Sequence, residues 1–235
     1  EVDRMIPSPV ASARSVLSES EKRTGLVLID IGGSLTEFAV FKGGNLRFWN
    51  TIPMGGKNIE KDFTEKLGIS EKEAREIMSS LGFLEEFFSS ESPNTEYIEV
   101  NTVANGSSKI RKSDLLDIAS IRIQNLMDRI MEELSSTPFQ GLLPLGFVLT
   151  GGVSKIEGIT DFLEKKYKQP FNRGNVGKYI FGLKDVIEDP GHSVCLGLLS
   201  CSDSPPRFLS TNMGEKVKAR KERSSIKKFL NKIFD

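Results

Sequence analysis

The stretch that most constrains the fold of this sequence is a pair of predicted strands joined by glycines near residue 30. Residues 26–29 form a continuous apolar run, which is typical of a strand that is covered on both faces. Asp30 ends this strand, and Gly32 and Gly33 allow a sharp turn whose N–H groups an anion can approach. Apolar residues recur from Leu35 onward in rough alternation. The stretch therefore predicts either a cradle for the phosphates and metal of a nucleotide or an ordinary hairpin with a Gly-Gly turn.

The same pattern of strands and glycine turns continues to residue 54. Residues 42–45, Lys-Gly-Gly-Asn, predict a second tight turn, and residues 46–54 predict a third strand. Three strands joined by short turns form an antiparallel meander. Before the first strand, residues 9–17 have the spacing of a helix, and residues 18–24 are predicted to form a charged loop.

Two further junctions between a strand and a helix carry paired glycines. Residues 55–56 precede a predicted helix over 58–67. Residues 151–152 follow an apolar strand over 147–150 and precede a predicted helix over 156–167. A purine or ribose packed on bare backbone needs glycines at such places, because a side chain would occupy the space of the ligand. For residues 55–56, a simple strand-to-helix turn is an equally good explanation.

A long helix is predicted over residues 113–134. Before it lie a predicted loop over 104–108 and a short basic segment that contains Lys109, Arg111 and Lys112. Arg122 lies close to the apolar stripe of this helix, where its stem can pack while its guanidinium reaches a partner. The alternative is a surface arginine that only meets solvent.

The composition excludes several classes of function. The 235 residues carry 32 basic and 32 acidic side chains, so the charge balance does not predict a nucleic-acid-binding surface. The sequence contains no run of 18 apolar residues of the kind that spans a bilayer. One histidine, His192, and two cysteines, Cys195 and Cys201, offer no pattern for a zinc site or a Ser-His-Asp triad. The chain begins at Glu1, and we expect it to be a portion of a longer protein.

The last dozen residues, 224–235, predict a small amphipathic helix at the end of a basic linker over 204–223. Its apolar side chains recur at helical spacing and its polar face is basic, which favours a membrane-surface anchor over a peptide that docks in a partner's groove. The side chains expected to contact lipid are Ile226, Lys227, Lys228, Phe229, Leu230, Lys232, Ile233 and Phe234.

The order of these segments resembles a known family. Residues 30–33 (Asp-Ile-Gly-Gly), 52–56 (Ile-Pro-Met-Gly-Gly) and 148–152 (Val-Leu-Thr-Gly-Gly) look like the glycine motifs of the bacterial cell-division family FtsA, whose members are actin homologues. The glycine motifs alone indicate only the actin/Hsp70/sugar-kinase superfamily. The helical residues before the first strand and the tethered amphipathic C-terminus make the resemblance more specific, and the similarity covers nearly the whole chain.

The resemblance implies an α/β fold, namely the C-terminal portion of an actin-like, ribonuclease H-like architecture with a smaller inserted α+β lobe. The first phosphate loop would lie in a half that this chain lacks, toward which residues 1–24 and 190–203 would pack. The implied divisions are a lower lobe over 1–56 and 113–203, an upper lobe over 57–112, the linker over 204–223 and a membrane-targeting helix over 224–235.

The resemblance also implies a site for ATP and magnesium, with Asp30 near the metal through a water molecule. Ser34 and Leu35 replace a glycine and a threonine of the family pattern, and Glu37 replaces an aspartate, so weak or no ATP hydrolysis is expected. The nucleotide-binding residues implied are Asp30, Gly32, Gly33, Ser34, Thr36, Gly55, Gly56, Gly151, Gly152 and Ser154.

The function implied is that of a polymerising adaptor at the division septum. Such a protein tethers the ring of FtsZ, a tubulin homologue, to the cytoplasmic face of the inner membrane and helps recruit later division proteins. Its partners would be copies of itself, anionic lipids and the acidic C-terminal tail of FtsZ, which would bind at Lys109, Arg111, Lys112 and Arg122. A pilus-assembly adaptor and a sugar-kinase or phosphatase enzyme of the same superfamily are the alternatives.

Overall fold

A computed structural model describes residues 5–80, 97–102, 106–139, 141–176 and 188–201. The strands within these ranges are β1 (Leu26–Ile31), β2 (Thr36–Lys42), β3 (Asn45–Ile52), β4 (Tyr97–Thr102), β5 (Gly106–Arg111), β6 (Phe147–Thr150) and β7 (Phe171–Arg173). The α-helices within them are α1 (Ser8–Val16), α2 (Glu19–Thr24), α3 (Gly56–Leu67), α4 (Glu71–Ser80), α5 (Lys112–Ser135), α6 (Ile159–Tyr167) and α7 (Ser193–Cys201).

The main sheet has five strands in the order β3-β2-β1-β6-β7. β1, β2 and β3 pair antiparallel through the two short turns, which confirms the meander predicted from the glycines. β6 then pairs parallel to β1, and β7 pairs parallel to β6. This register sets Asp30 opposite Glu37 on one side and opposite Thr150 on the other.

The continuous apolar run of β1 is covered on both faces, as expected. Val27 and Ile29 face a core that α3, α5 and α6 complete, whereas Leu26 and Leu28 face a second core beneath α1 and α7. All four side chains are at most 1% exposed, and burial of each stabilises the fold by about 1.5–3 kcal/mol. The strand therefore lies between two helical layers.

The segment predicted as an upper lobe carries α3, α4 and a two-stranded antiparallel sheet of β4 and β5. Its buried side chains Phe63, Ile69 and Val100 belong to the same continuous apolar core as β1. β5 begins at Gly106, although the sequence predicts a loop up to residue 108. The loop is predicted because the side chains of this segment alternate too weakly to indicate a strand. The division into two lobes stays a prediction.

Two local predictions are wrong. Residues predicted as a charged loop form α2, whose N-terminus is closed by a capping box: the Glu21 N–H donates to Ser18 Oγ and the Ser18 N–H donates to Glu21 Oε2. The helix predicted from residue 156 begins at Ile159. A 3₁₀ turn over Gly152–Lys155 precedes it, and Gly158 adopts a left-handed conformation that separates the two.

Within the described ranges, no helix is both long and apolar enough to cross a membrane. The linker over 204–223 and the predicted membrane-targeting helix over 224–235 lie outside the described residues.

Candidate functional site

The three glycine junctions predicted from the sequence, residues 30–34, 55–56 and 151–154, lie together at one edge of the main sheet, which we call the glycine edge. β1 and β6 are parallel neighbours, so their carboxyl ends and the glycines that follow them meet there. A Cβ atom on Gly55 would lie 2.4 Å from the carbonyl oxygen of Gly32. A contact this short leaves no room for a side chain, and the junctions therefore pack as bare backbone.

The turn after β1 and the start of α3 are joined by two backbone hydrogen bonds. The Gly56 N–H donates to the Gly32 carbonyl at 2.9 Å, and the Lys57 N–H donates to the Gly33 carbonyl at 2.8 Å. The first N–H groups of a helix have no partner within the helix. Here the turn supplies partners for two of them, so it is fixed against α3.

Half of the predicted nucleotide-binding residues are buried in or directly beside the glycine edge. The Thr36 hydroxyl donates to the Met54 carbonyl at 2.7 Å, and the Ser154 hydroxyl donates to the Gly151 carbonyl at 2.7 Å. These two hydroxyls hold the backbone in shape. The buried members are Thr36, Gly55, Gly56, Gly151 and Ser154.

The other half reaches the surface. Gly33, Ser34 and Gly152 are exposed, and Asp30 and Gly32 are half-buried. Within the described residues, the N–H groups of Gly33 and Ser34 donate no hydrogen bond. A Cβ atom on Gly152 would meet nothing within 4 Å. The exposed part of the edge thus offers two N–H donors and a bare backbone platform, which is the chemistry that an anionic nucleotide needs.

Asp30 is held from two helices that lie far apart in the sequence. Its Oδ2 accepts hydrogen bonds from Ser12 Oγ of α1 at 2.7 Å and from Ser193 Oγ of α7 at 3.1 Å. Burial raises the pKa of Asp30, and the two serine hydroxyls oppose that rise. A Cβ atom on Gly151 would lie 2.5 Å from the other carboxyl oxygen, Oδ1, so this residue must be small.

Glu37 adds a second carboxyl group on the same face of the sheet. Burial raises its pKa, a hydrogen bond from Ser8 lowers it, and the charge of Asp30 raises it further. Carboxylate oxygens are the ligands that Mg²⁺ prefers, and one or two of them with substrate phosphates and waters complete its shell. Within the described ranges, no group of three metal-ligating side chains occurs.

Sequence reasoning missed three residues of this site. Ser12 and Ser193 carry no motif, and only the packing of α1 beside α7 brings them to Asp30. Lys57 does have a signal in the sequence, because it is a basic residue directly after the paired glycines at 55–56. Its side-chain carbons Cγ and Cε each lie 3.9 Å from the Cβ position of Gly33.

The predicted partner residue Arg122 pairs with an acid of the same chain. Its Nε and Nη2 donate to the two carboxyl oxygens of Asp62 at 2.7 and 2.6 Å, so the pair is bidentate. Asp62 lies on α3 and is 8% exposed, whereas the Arg122 side chain remains 29% exposed. The hydrogen bond to Asp62 raises the pKa of Arg122. The guanidinium joins α5 to α3 and still presents an outer edge.

The two basic residues of β5, Lys109 and Arg111, also have acidic neighbours. Arg111 pairs with Asp114 at 3.1 Å, and Lys109 lies 4.0 Å from Glu99, with all four side chains exposed to solvent by at least a third. Lys112 is the first residue of α5. Ten residues at 1.5 Å each separate it from Arg122, so the basic segment and Arg122 are about 15 Å apart along the helix.

A cavity of about 790 Å³ lies at the opposite edge of the sheet, beside the residues that precede β6 and β7. Apolar and aromatic side chains line most of it, among them Phe139, Leu143, Phe147 and Tyr167. None of the residues that form the glycine edge lines this cavity, so the two regions are distinct.

Comparison with known proteins identifies the family. The sequence model of the family "Cell division protein FtsA" matches residues 27–197. A cell division protein FtsA from Neisseria meningitidis is 35% identical over 203 residues, which are 84% of this chain and 47% of that protein. The chain thus spans about half the length of the curated relatives it matches.

Solved structures share the fold at much lower identity. MreB5 of Spiroplasma citri bound to ADP has a TM-score of 0.66 at 18% identity, over 84% of this chain and 59% of that chain. A PilM–PilN type IV pilus biogenesis complex contains a chain with a TM-score of 0.65 at 16% identity, over 86% of this chain and 54% of that chain. The fold is therefore actin-like, as predicted. Because the family match covers well over half of the residues of this chain, the chain belongs to the cell-division protein FtsA family.

Proposed function

We propose that this chain is the part of an actin-like division protein that binds one side of an ATP–magnesium complex and links the FtsZ ring to the membrane. The observation that carries the proposal is the glycine edge, where three glycine junctions and the carboxyl group of Asp30 converge. Membership of a cell-division family supports the divisome assignment. The protein would act peripherally at the cytoplasmic face of the septal membrane and assemble with copies of itself.

In this proposal the exposed half of the glycine edge binds the nucleotide, and the buried half keeps it in shape. Asp30 holds magnesium through water, and the N–H groups of Gly33 and Ser34 meet phosphate oxygens. Magnesium would supply positive charge to the phosphates. Ser34 and Leu35 stand where the family pattern has a glycine and a threonine, and this departure supports slow ATP hydrolysis or none. ATP therefore serves as a ligand for assembly.

Gly152→Leu tests the nucleotide site directly. Because its Cβ position is open and its backbone is not left-handed, the free energy of unfolding should change by no more than about 0.5 kcal/mol. A leucine on the platform should weaken ATP binding by about tenfold or more, which is at least about 1.4 kcal/mol. Titration calorimetry on the whole protein that contains this chain measures the ATP affinity. A thermal melt of the same protein measures its stability.

The matched control is Glu157→Leu, which adds the same side chain at an exposed position outside the glycine turn. It should leave ATP affinity unchanged. Equal ATP binding by Gly152→Leu and the wild type would contradict the nucleotide site.

We propose that the segment over 224–235 anchors the protein reversibly to anionic lipid. Five apolar side chains would contribute at most about 7–15 kcal/mol if fully buried, and ordering costs about 1–2 kcal/mol per residue. Lysines near an anionic leaflet add about 1 kcal/mol each. One copy is thus a weak anchor, and a polymer with many copies holds durably through effective concentration.

Phe229→Glu should abolish flotation of the protein with vesicles of phosphatidylglycerol and phosphatidylethanolamine, because it places a charge in the apolar face. Asn231→Glu makes the same change in charge on the polar face and should retain most of the flotation. Equal flotation of the two variants would show that charge alone controls binding and would refute the apolar anchor.

We also propose that the acidic tail of FtsZ binds along β5 and α5, at Lys109, Arg111, Lys112 and Arg122. The exposed, loosely paired cations of β5 and the outer edge of Arg122 support this assignment. About 15 Å along α5 corresponds to about five residues of an extended peptide, so one short tail can span both groups.

The pilus adaptor finds less support, since the likeness to the PilM–PilN complex at 16% identity concerns the fold alone. The family match over residues 27–197 favours the division protein. Recovery of an inner-membrane pilus protein, in place of FtsZ, in a pull-down with this chain would reverse that preference.

A further inference from the structure

We propose that Lys57 is the cation that binds the outer phosphates of the nucleotide, together with the N–H groups of Gly33 and Ser34. The inference rests on the proposed nucleotide site and names the residue that recognises the phosphate chain. Lys57 is the second residue of α3, and its N–H donates to the Gly33 carbonyl at 2.8 Å. This hydrogen bond fixes the backbone of Lys57 against the turn after β1.

The side chain of Lys57 also lies on that turn. Its Cγ and Cε are both 3.9 Å from the Cβ position of Gly33, so the stem runs across the exposed glycine. The ammonium group is therefore carried over the same turn whose Gly33 and Ser34 N–H groups donate no hydrogen bond within the described residues. A cation and two N–H donors on one turn are the chemistry that phosphate oxygens require.

Among the described residues, Lys57 differs from Lys61 and Lys155 in having no acidic partner. Among the described residues it forms no ion pair, whereas Lys61, one turn further along α3, lies 3.4 Å from Glu65. Lys155, on the opposite side of the glycine edge, pairs with Asp189 at 3.1 Å. An ammonium group without a carboxylate partner can bind the anionic groups of a ligand without breaking an existing ion pair.

The charges of the edge show why such a cation matters. Asp30 and Glu37 bring negative charge to the same end of the sheet, and the N–H donors of the turn are neutral. A triphosphate therefore meets repulsion there unless magnesium and a basic side chain offset it. Because the lysine acts on the phosphate chain, its contribution grows with the number of phosphates and is nearly absent for a ligand with one.

The experiment compares ATP and AMP binding by the naturally expressed protein that carries this chain. Lys57→Gln should weaken ATP binding by about tenfold and leave AMP binding within about twofold of the wild type. Lys57→Arg should retain most of the ATP affinity. Lys61→Gln removes one positive charge from the same helix and should change neither affinity by more than about twofold, since exposed surface pairs contribute little.

The outcomes separate the two proposals. If the wild-type protein binds ATP and Lys57→Gln binds it equally well, Lys57 is only a solvated surface residue and the inference is wrong, while the nucleotide site stands. Equal weakening by Lys57→Gln and Lys61→Gln would point to bulk charge and would also overturn it. If the wild type binds neither ATP nor AMP, the proposed nucleotide site itself fails. Thermal melts of all variants should agree, because both lysines are exposed.

Discussion

Gly197→Val should lower the free energy of unfolding by about 3 kcal/mol, because α1 and α7 touch at this residue without a side chain between them. A Cβ atom on Gly197 would lie 2.4 Å from the carbonyl carbon of Ala11 and closer still to its oxygen. Both are backbone atoms of a helix, so no rotamer change can relieve the clash. The two helices must separate, and the core that contains Val16, Leu28 and Leu196 opens.

The same change should disturb the candidate site, because the contact between α1 and α7 positions the two serines that bind Asp30. Ser12 directly follows Ala11, and Ser193 lies one turn before Gly197 on α7. When the helices separate, at least one of the two hydrogen bonds is lost. We therefore expect weaker magnesium-dependent ATP binding in any Gly197→Val protein that remains folded.

Denaturant unfolding measures the stability effect, with Cys195→Val as the control. Cys195 is exposed on the same helix and receives the same β-branched side chain, so its cost should stay within about 0.5 kcal/mol. A loss for Gly197→Val no larger than that of Cys195→Val would show that the close contact of α1 and α7 is unimportant.

The sequence predicts the meander because its signals are local. Apolar alternation and the glycine turns of residues 32–33 and 43–44 each act over a few residues, and the pairing of β1 to β3 follows from chain order. The parallel pairing of β6 with β1 joins residues more than a hundred positions apart, and no local pattern specifies it. The family resemblance was needed to expect that the glycine junctions meet.

The roles of individual side chains were harder to predict, because hydroxyl groups in a protein have several partners available. The family resemblance implies that Thr36 and Ser154 bind the nucleotide, and in the structure their hydroxyls donate to backbone carbonyls inside the fold. Ser12 and Ser193 bind Asp30 from helices whose packing depends on distant residues. The start of α2 has a sequence signal, because Ser18 and Glu21 have the spacing of a capping box, which predicts the N-terminus of a helix.

α3 connects the glycine edge to the proposed binding surface for the FtsZ tail. Its first turn bonds to the turn after β1 through Gly56 and Lys57, and Asp62 lies about 9 Å further along the helix at 1.5 Å per residue. Asp62 then binds Arg122 on α5. In the proposed function, a nucleotide that shifts the first turn of α3 would therefore act on the Arg122 guanidinium through this helix.

Arg122→Ala and Asp62→Ala should each lower the free energy of unfolding by about 2 kcal/mol, and the double variant should lose clearly less than the sum. The pair is bidentate, and Asp62 is 8% exposed, so loss of the arginine leaves a carboxylate with little access to water. The partial exposure of Arg122 keeps the cost below that of a fully buried pair. We expect a coupling energy of about 1–2 kcal/mol from a double-mutant cycle by denaturant unfolding.

The exposed pair Arg111–Asp114 is the control for this cycle, because its ions have the same chemistry but lie in solvent. Its coupling should be about 0.5 kcal/mol. Equal coupling in the two pairs would show that α3 and α5 are not held by the Arg122 contact. Since Asp62 binds only Nε and Nη2 of Arg122, the guanidinium has donors left for an incoming carboxylate. A peptide with the acidic FtsZ tail should therefore bind Asp62→Asn about as well as the wild type and Arg122→Ala several-fold more weakly, which separates the proposed binding role of Arg122 from its role in stability.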